Sequence, residues 1–190
     1  MTTAPEAPGK PGRGTLLRWI GWFGIANAAL YGLVGVRYLL AFGMPDSGLA
    51  TVYVGLAFIG QFALLGWLPL MLLLAPLALL LPYKRLLTAV GVPVAAASLT
   101  ILMLDTNVFA EYRYHMSALT AQIFETSTWI FAGLIFCVAL LFETLLAGNV
   151  WQRVCTSRGG KGKWLATALI LGWCGGQGIH IWADATAYTP

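Results

Sequence analysis

The chain has 190 residues, of which 59% are apolar and only 9% charged, with a net charge of +4. A typical soluble domain is about 25% charged, so this composition excludes a water-soluble globule and calls for a lipid bilayer as solvent. No basic run is interleaved with aromatic residues, which excludes nucleic acid as a partner.

Residues 1–15, opening MTTAPEAPGKPGRG, are too rich in Pro and Gly and too poor in apolar groups to fold, and read as a solvated tail. The apolar stretch that follows is longer than a signal-peptide core and has no Ala-x-Ala site after it, so it reads as a retained span. A helix needs about 20 apolar residues to cross the hydrocarbon. Five stretches qualify: Leu16–Phe42, Val52–Leu81, Leu86–Leu104, Thr128–Ala147 and Trp164–Trp182. The second is long and leucine-rich on every side, as expected of a helix facing lipid, and Pro69 and Pro76 predict a kink in it.

Between the third and fourth stretches lies DTNVFAEYRYHMSALTAQIF, residues 105–124. Val108, Tyr112, Met116, Leu119 and Ile123 recur there at helical spacing, while Glu111, His115 and Gln122 share another face. This pattern predicts an amphipathic helix lying in the interface, which either brings Arg113 and His115 to lipid phosphates or only caps the bundle.

Lys10, Arg13, Arg18, Lys84, Arg85, Arg153, Arg158, Lys161 and Lys163 flank one side of the predicted spans, and only Arg37 and Arg113 flank the other. The positive-inside rule then places the N-terminus in the cytoplasm and the C-terminus outside. The fold class expected is therefore an all-α membrane protein with five transmembrane helices, N-terminus in and C-terminus out. A periplasmic interfacial helix would join helices three and four, and residues 16–190 would form one domain.

Charges at the outer side can be placed by counting. Arg37 follows Arg18, Asp105 follows Arg85 and Asp184 follows Lys163 by 19, 20 and 21 residues. At about 1.5 Å per residue each stands roughly 30 Å above its anchor, one hydrocarbon thickness. His180 lies one turn below Asp184. Arg37 is expected either to sit between Asp105 and Asp184, tying spans one, three and five, or to snorkel as they do into the headgroups without contact. On the inner side, Glu143 is expected to pair with a basic group of the 151–163 loop, in preference to acting as a proton relay. The loop's four cations, Arg153, Arg158, Lys161 and Lys163, would meet an anionic leaflet or a partner, or serve only to set topology.

Gly24, Ala28 and Gly32 form one small-residue stripe and Gly172 and Gly176 another. Packing within the bundle is the expected use of these stripes, and a groove for a partner helix is the alternative. The cysteines, Cys137 and Cys174 within apolar spans and Cys155 in a basic loop, have no motif spacing and read as inert packing residues. His180, Asp184 and His115 are too few for a metal site without an HExxH helix, and Ser98 and Ser117 lack a nucleophile elbow. No enzyme, metal or cofactor is expected.

The strings MLDTNVFAEYRYH and HIWADATAYTP, with VGVRYLL, LFETLL and NVWQR, resemble the N-terminal membrane domain of the YejM/PbgA family of Gram-negative inner-membrane proteins. The similarity spans nearly all of residues 16–190. It implies a five-helix domain ahead of a periplasmic domain of the alkaline phosphatase/sulfatase fold, with a basic linker to follow Pro190. It further implies sensing of lipopolysaccharide through lipid A, with cardiolipin as a second lipid. Control of the lipid A enzyme LpxC would run through LapB, the membrane adaptor of the FtsH protease. Two rival readings are a passive anchor for a phosphoethanolamine transferase-type enzyme and a small lipid transporter.

Overall fold

The computed structural model describes residues 11–43, 45–122, 124–156 and 161–185. Its elements are α1 (Arg13–Phe42), α2 (Gly48–Leu80), α3 (Lys84–Tyr112), α4 (Ala118–Gln122), α5 (Thr126–Thr156) and α6 (Lys161–Ala185), with no strand among the described residues. Four of these helices, α1, α2, α3 and α5, are long and apolar enough to cross a membrane. Helix α6 has 25 residues, about 38 Å at 1.5 Å per residue.

Helix boundaries follow local chemistry. Helix α1 ends where Gly43 adopts φ 88°, a conformation that glycine takes without penalty, and its N–H returns to Leu39 O. Ser47 caps α2 by accepting the Ala50 N–H at 3.1 Å. Pro69 and Pro76 both lie inside α2, which runs unbroken to Leu80. Its leucines are not equivalent, as a sequence of uniform greasiness suggests. Leu70, Leu74 and Ala78 are buried at helical spacing, while Leu65, Leu72, Leu73, Leu79 and Leu80 remain exposed.

Helix α1 is central and packs on α2, α3 and α5, with a smaller contact to α6. Contacts set the directions. Gly24 meets Trp67, Ala28 meets Gly66 and Gly35 meets Phe62, so α1 and α2 are antiparallel. Trp19 Nε1 donates to Ala147 O at 3.1 Å and Arg18 donates to Val154 O at 2.6 Å, so α1 and α5 are antiparallel too. The C-terminal turns of α1 and α3 lie together, and Gly60 against Trp173 sets α6 antiparallel to α2. Thus α1, α3 and α6 run one way and α2 and α5 the other. The deepest cluster joins Leu16, Trp19, Ile20 and Phe23 to Leu74, Ala78, Leu87 and Val150. Trp19 stacks on Phe23 with centroids 5.3 Å apart.

Three expectations change. The 105–124 helix is not one element. Residues 105–112 are the last two turns of α3, which stops at Arg113 with φ 61°, and only Ala118–Gln122 is helical beyond it. Val108 and Phe109 are buried as part of the bundle. The 151–163 loop is also mostly helix: Arg153 lies in the last turn of α5, and Lys161 and Lys163 open α6. Arg158 and the side chains of Lys161 and Lys163 lie outside the described residues. Finally, the cysteines are free and exposed on the helix surfaces, with Cys155 inside α5.

Part of each small-residue stripe serves internal packing. Gly24 and Ala28 face α2, and Gly176 faces the α2 backbone at Leu56 and Ala57. Gly32 has open space beside it, and Gly172 lies outside the residues whose surroundings are described.

Candidate functional site

At the end of the bundle where α1 and α3 finish, Asp105 organises a cluster of polar and aromatic residues. Asp105 Oδ2 accepts from the Tyr38 hydroxyl of α1 and pairs with His115 Nδ1 at 2.7 Å. Its Oδ1 accepts the backbone N–H of Met116. One carboxylate therefore fastens α1 to α3 and folds the 113–117 turn back on the helix it has just left. This is the physical reason that the amphipathic pattern is broken. A left-handed residue at 113 reverses the chain, and Asp105 captures the reversed segment. The His115 ring also lies against Phe109 at 4.9 Å and Tyr38 at 5.4 Å, closing an aromatic lid with Phe42 stacked on Phe109.

Arg37 does not bridge Asp105. Its Nη2 donates to Asn107 Oδ1, while the Asp105 oxygens are occupied by Tyr38, His115 and Met116. Arg113 donates to Ala41 O, the carbonyl one turn beyond Arg37 on α1. Arg37, Asn107 and Arg113 are all exposed. Asp105 and His115 stand within ion-pairing distance of each other, at 2.7 Å. Two guanidinium groups thus lie along one α1–α3 seam, about 6 Å apart in rise, hydrogen-bonded to neutral oxygens.

His180 stands at the same end but on a different seam. It meets the Tyr53 hydroxyl of α2 at 3.1 Å, with the rings 6.3 Å apart. The Asp184 side chain lies outside the described residues. Of the expected three-helix tie, the Arg37–Asp105 half is not made and the Asp184 half lies outside the described residues. The contacts seen join α1 to α3 through Asp105 and α2 to α6 through Tyr53 and His180.

Glu143 departs furthest from expectation. It is fully buried in mid-α5 and accepts from Asn27 Nδ2 at 3.2 Å. Of the loop cations expected to pair with it, Arg153 lies ten residues further along α5, and Arg158 and the side chains of Lys161 and Lys163 lie outside the described residues. Two other cations of that end are committed, Arg18 to Val154 O and Lys84 over the Trp151 ring at 4.3 Å. Those positions are 8 and 11 residues further along α5, about 12–16 Å away.

Sequence reasoning missed Tyr38, Asn107, Asn27 and Tyr53. Counting from Arg37 and Asp105 could have found Tyr38 and Asn107, which are their near neighbours on helices of known level. Asn27 carried its own signal, an amide in the middle of an apolar span. Among the described residues no group of three or more His, Cys, Asp and Glu side chains is arranged to hold a metal ion.

Residues 11–190 match the family described as "Domain of unknown function (DUF3413)". The chain belongs to the DUF3413 family. Among curated proteins it is 28% identical over 184 residues to the inner membrane protein YejM of Salmonella typhimurium, and equally to that of Salmonella typhi. An uncharacterized protein of Haemophilus influenzae is 23% identical over the same length. Each match covers 92% of this chain and 31% of the relative, so the chain spans about a third of the length of the curated relatives it matches. The resemblance to the N-terminal membrane domain of YejM read from the sequence is thereby established.

Proposed function

We propose that this domain is a non-enzymatic regulator of the bacterial inner membrane, whose Arg37–Arg113 seam seats an anionic lipid headgroup. Lipid A of lipopolysaccharide is the first candidate and cardiolipin the second. The observation that carries the reading is the separation of charges at that end of the bundle. Asp105 spends its oxygens on Tyr38, His115 and Met116, which leaves Arg37 and Arg113 exposed beside neutral partners. A phosphate offers two or more oxygens to such a pair, and guanidinium groups bind phosphate by charge-assisted, often forked hydrogen bonds.

The orientation in this reading comes from the positive-inside rule, with five passes and the Arg37 end in the periplasm. The opposite end, with Arg153, Arg158, Lys161 and Lys163, would then face the cytoplasmic leaflet, where each cation contributes about 1 kcal/mol toward an anionic surface. Output would pass through helix–helix contact with a single-span membrane partner, LapB by family resemblance, to the control of lipid A synthesis.

Native mass spectrometry in mild detergent tests the seam. The wild-type chain is expected to retain lipid A or cardiolipin, and the R37Q/R113Q variant to lose most of it. Equal lipid retention by the two proteins would overturn the proposal. Expression of residues 1–190 in cells depleted of the full-length relative tests the regulatory role. Rescue of growth and of LpxC control is expected, whereas normal insertion without rescue would favour a passive anchor.

A further inference from the structure

Two oxygen atoms inside the bundle have no donor. Asn27 and Glu143 are both fully buried. The two N–H groups of the Asn27 amide are spent, one on Phe23 O at 3.1 Å and the other on Glu143 Oε2 at 3.2 Å. Asn27 Oδ1 and Glu143 Oε1 remain without a hydrogen-bond partner. An unsatisfied buried acceptor is destabilising, and more so if it carries charge, so a native bundle holding two side by side calls for an explanation.

The surroundings supply no cation. From α1, Trp19 is committed to Ala147 O and the Tyr31 hydroxyl to Ala95 O of α3. Helix α3 bears Lys84, Arg85, Asp105 and Glu111 only near its ends, and α2 contributes Gly66 and Trp67 at this level and bears no acid or base. Arg18 and Lys84 sit at the far end of the α1–α5 contact. The described part of α6 places His180 at the opposite end.

We propose that Glu143 and Asn27 form a proton-binding site that clamps α1 to α5. A proton taken from water adds to Glu143 Oε1, converting the carboxylate to the neutral acid. The new O–H donates to Asn27 Oδ1, while Nδ2–H continues to donate to Oε2. One proton thus turns two donorless acceptors into a single hydrogen bond and closes a cyclic acid–amide pair. The terminal torsions of Asn and Glu are broad, so the oxygens turn toward each other without a shift of either helix. Loss of that proton restores a charge in low dielectric opposite an amide oxygen, and the α1–α5 seam loosens or takes in water. Helix α5 thereby acquires a position that depends on proton occupancy, independently of the lipid seam.

Infrared spectroscopy of the whole chain in lipid nanodiscs at neutral pH tests this directly. The wild type is expected to show the carbonyl band of a protonated carboxylic acid, and E143Q to lose it. A neutral-pH spectrum without that band, or a band that persists in E143Q, would overturn the proposal. N27A provides a check that does not need E143Q to fold. Removal of the amide donor is expected to shift the band to higher frequency, and an unmoved band would overturn the pairing. The R37Q/R113Q variant is expected to leave the band unchanged, which separates this site from the lipid seam.

Discussion

Gly66 is the position at which the smallest addition should have the largest effect. A Cβ built there would stand 2.4 Å from Ala28 Cα and 2.5 Å from Ala28 N, with the Asn27 carbonyl carbon at 2.9 Å. These are backbone atoms, so no side chain can swing aside, and α1 and α2 must separate by about 1 Å to restore ordinary contact. The displacement is shared along the seam, where Trp67 packs on Gly24 and Phe62 on Gly35. A gap of that size forfeits a quarter to a half of each dispersion well. Over the ~50 contacts of about 0.15 kcal/mol that a buried side chain makes, this amounts to roughly 2–4 kcal/mol. Gly21, in the same helix as Gly24, provides the control, because a Cβ there meets nothing within 4 Å. Alanine at position 21 should be neutral, or stabilising by up to about 1 kcal/mol through helix propensity. Denaturant unfolding in mixed micelles, followed by tryptophan fluorescence, is expected to rank G66A well below the wild type and G21A at or above it. Equal midpoints for G66A and G21A would refute the close-approach account of the α1–α2 seam.

Other outcomes follow from single contacts. D105A removes the acceptor shared by Tyr38, His115 and Met116. It should destabilise the fold by about 1–3 kcal/mol and speed amide exchange at residues 113–117, and unchanged exchange there would count against the latch. Arg113 holds φ 61°, so R113G should be more stable than R113A by about 1–2 kcal/mol, since both lose the guanidinium and only glycine relaxes the backbone. W19F keeps the stack on Phe23 but loses the bond to Ala147 O. It should cost about 1 kcal/mol and shift the unfolding midpoint without changing the slope.

Much of this architecture is legible from the chain alone, because a bilayer leaves little choice. Backbone groups in hydrocarbon must be satisfied within each segment, so long apolar stretches declare themselves helices, and α1, α2, α3 and α5 lie where such stretches were read. Rise per residue likewise set the level of Arg37 and Asp105, which do finish at the same end of the bundle. Which side chain meets which was not legible, because a common level says nothing about rotation around each helix axis. Packing set those rotations. The close approach of Gly66 to Ala28 turns Asn27 toward Glu143, while the aromatic contact of Tyr38 with Phe109 delivers the tyrosine, and not Arg37, to Asp105. Helical periodicity also could not foresee the reversal at Arg113, since the carboxylate that stabilises it lies eight residues back along the chain. Level is a property of one helix and is written in its sequence, whereas partnership is a property of two and exists only once they touch.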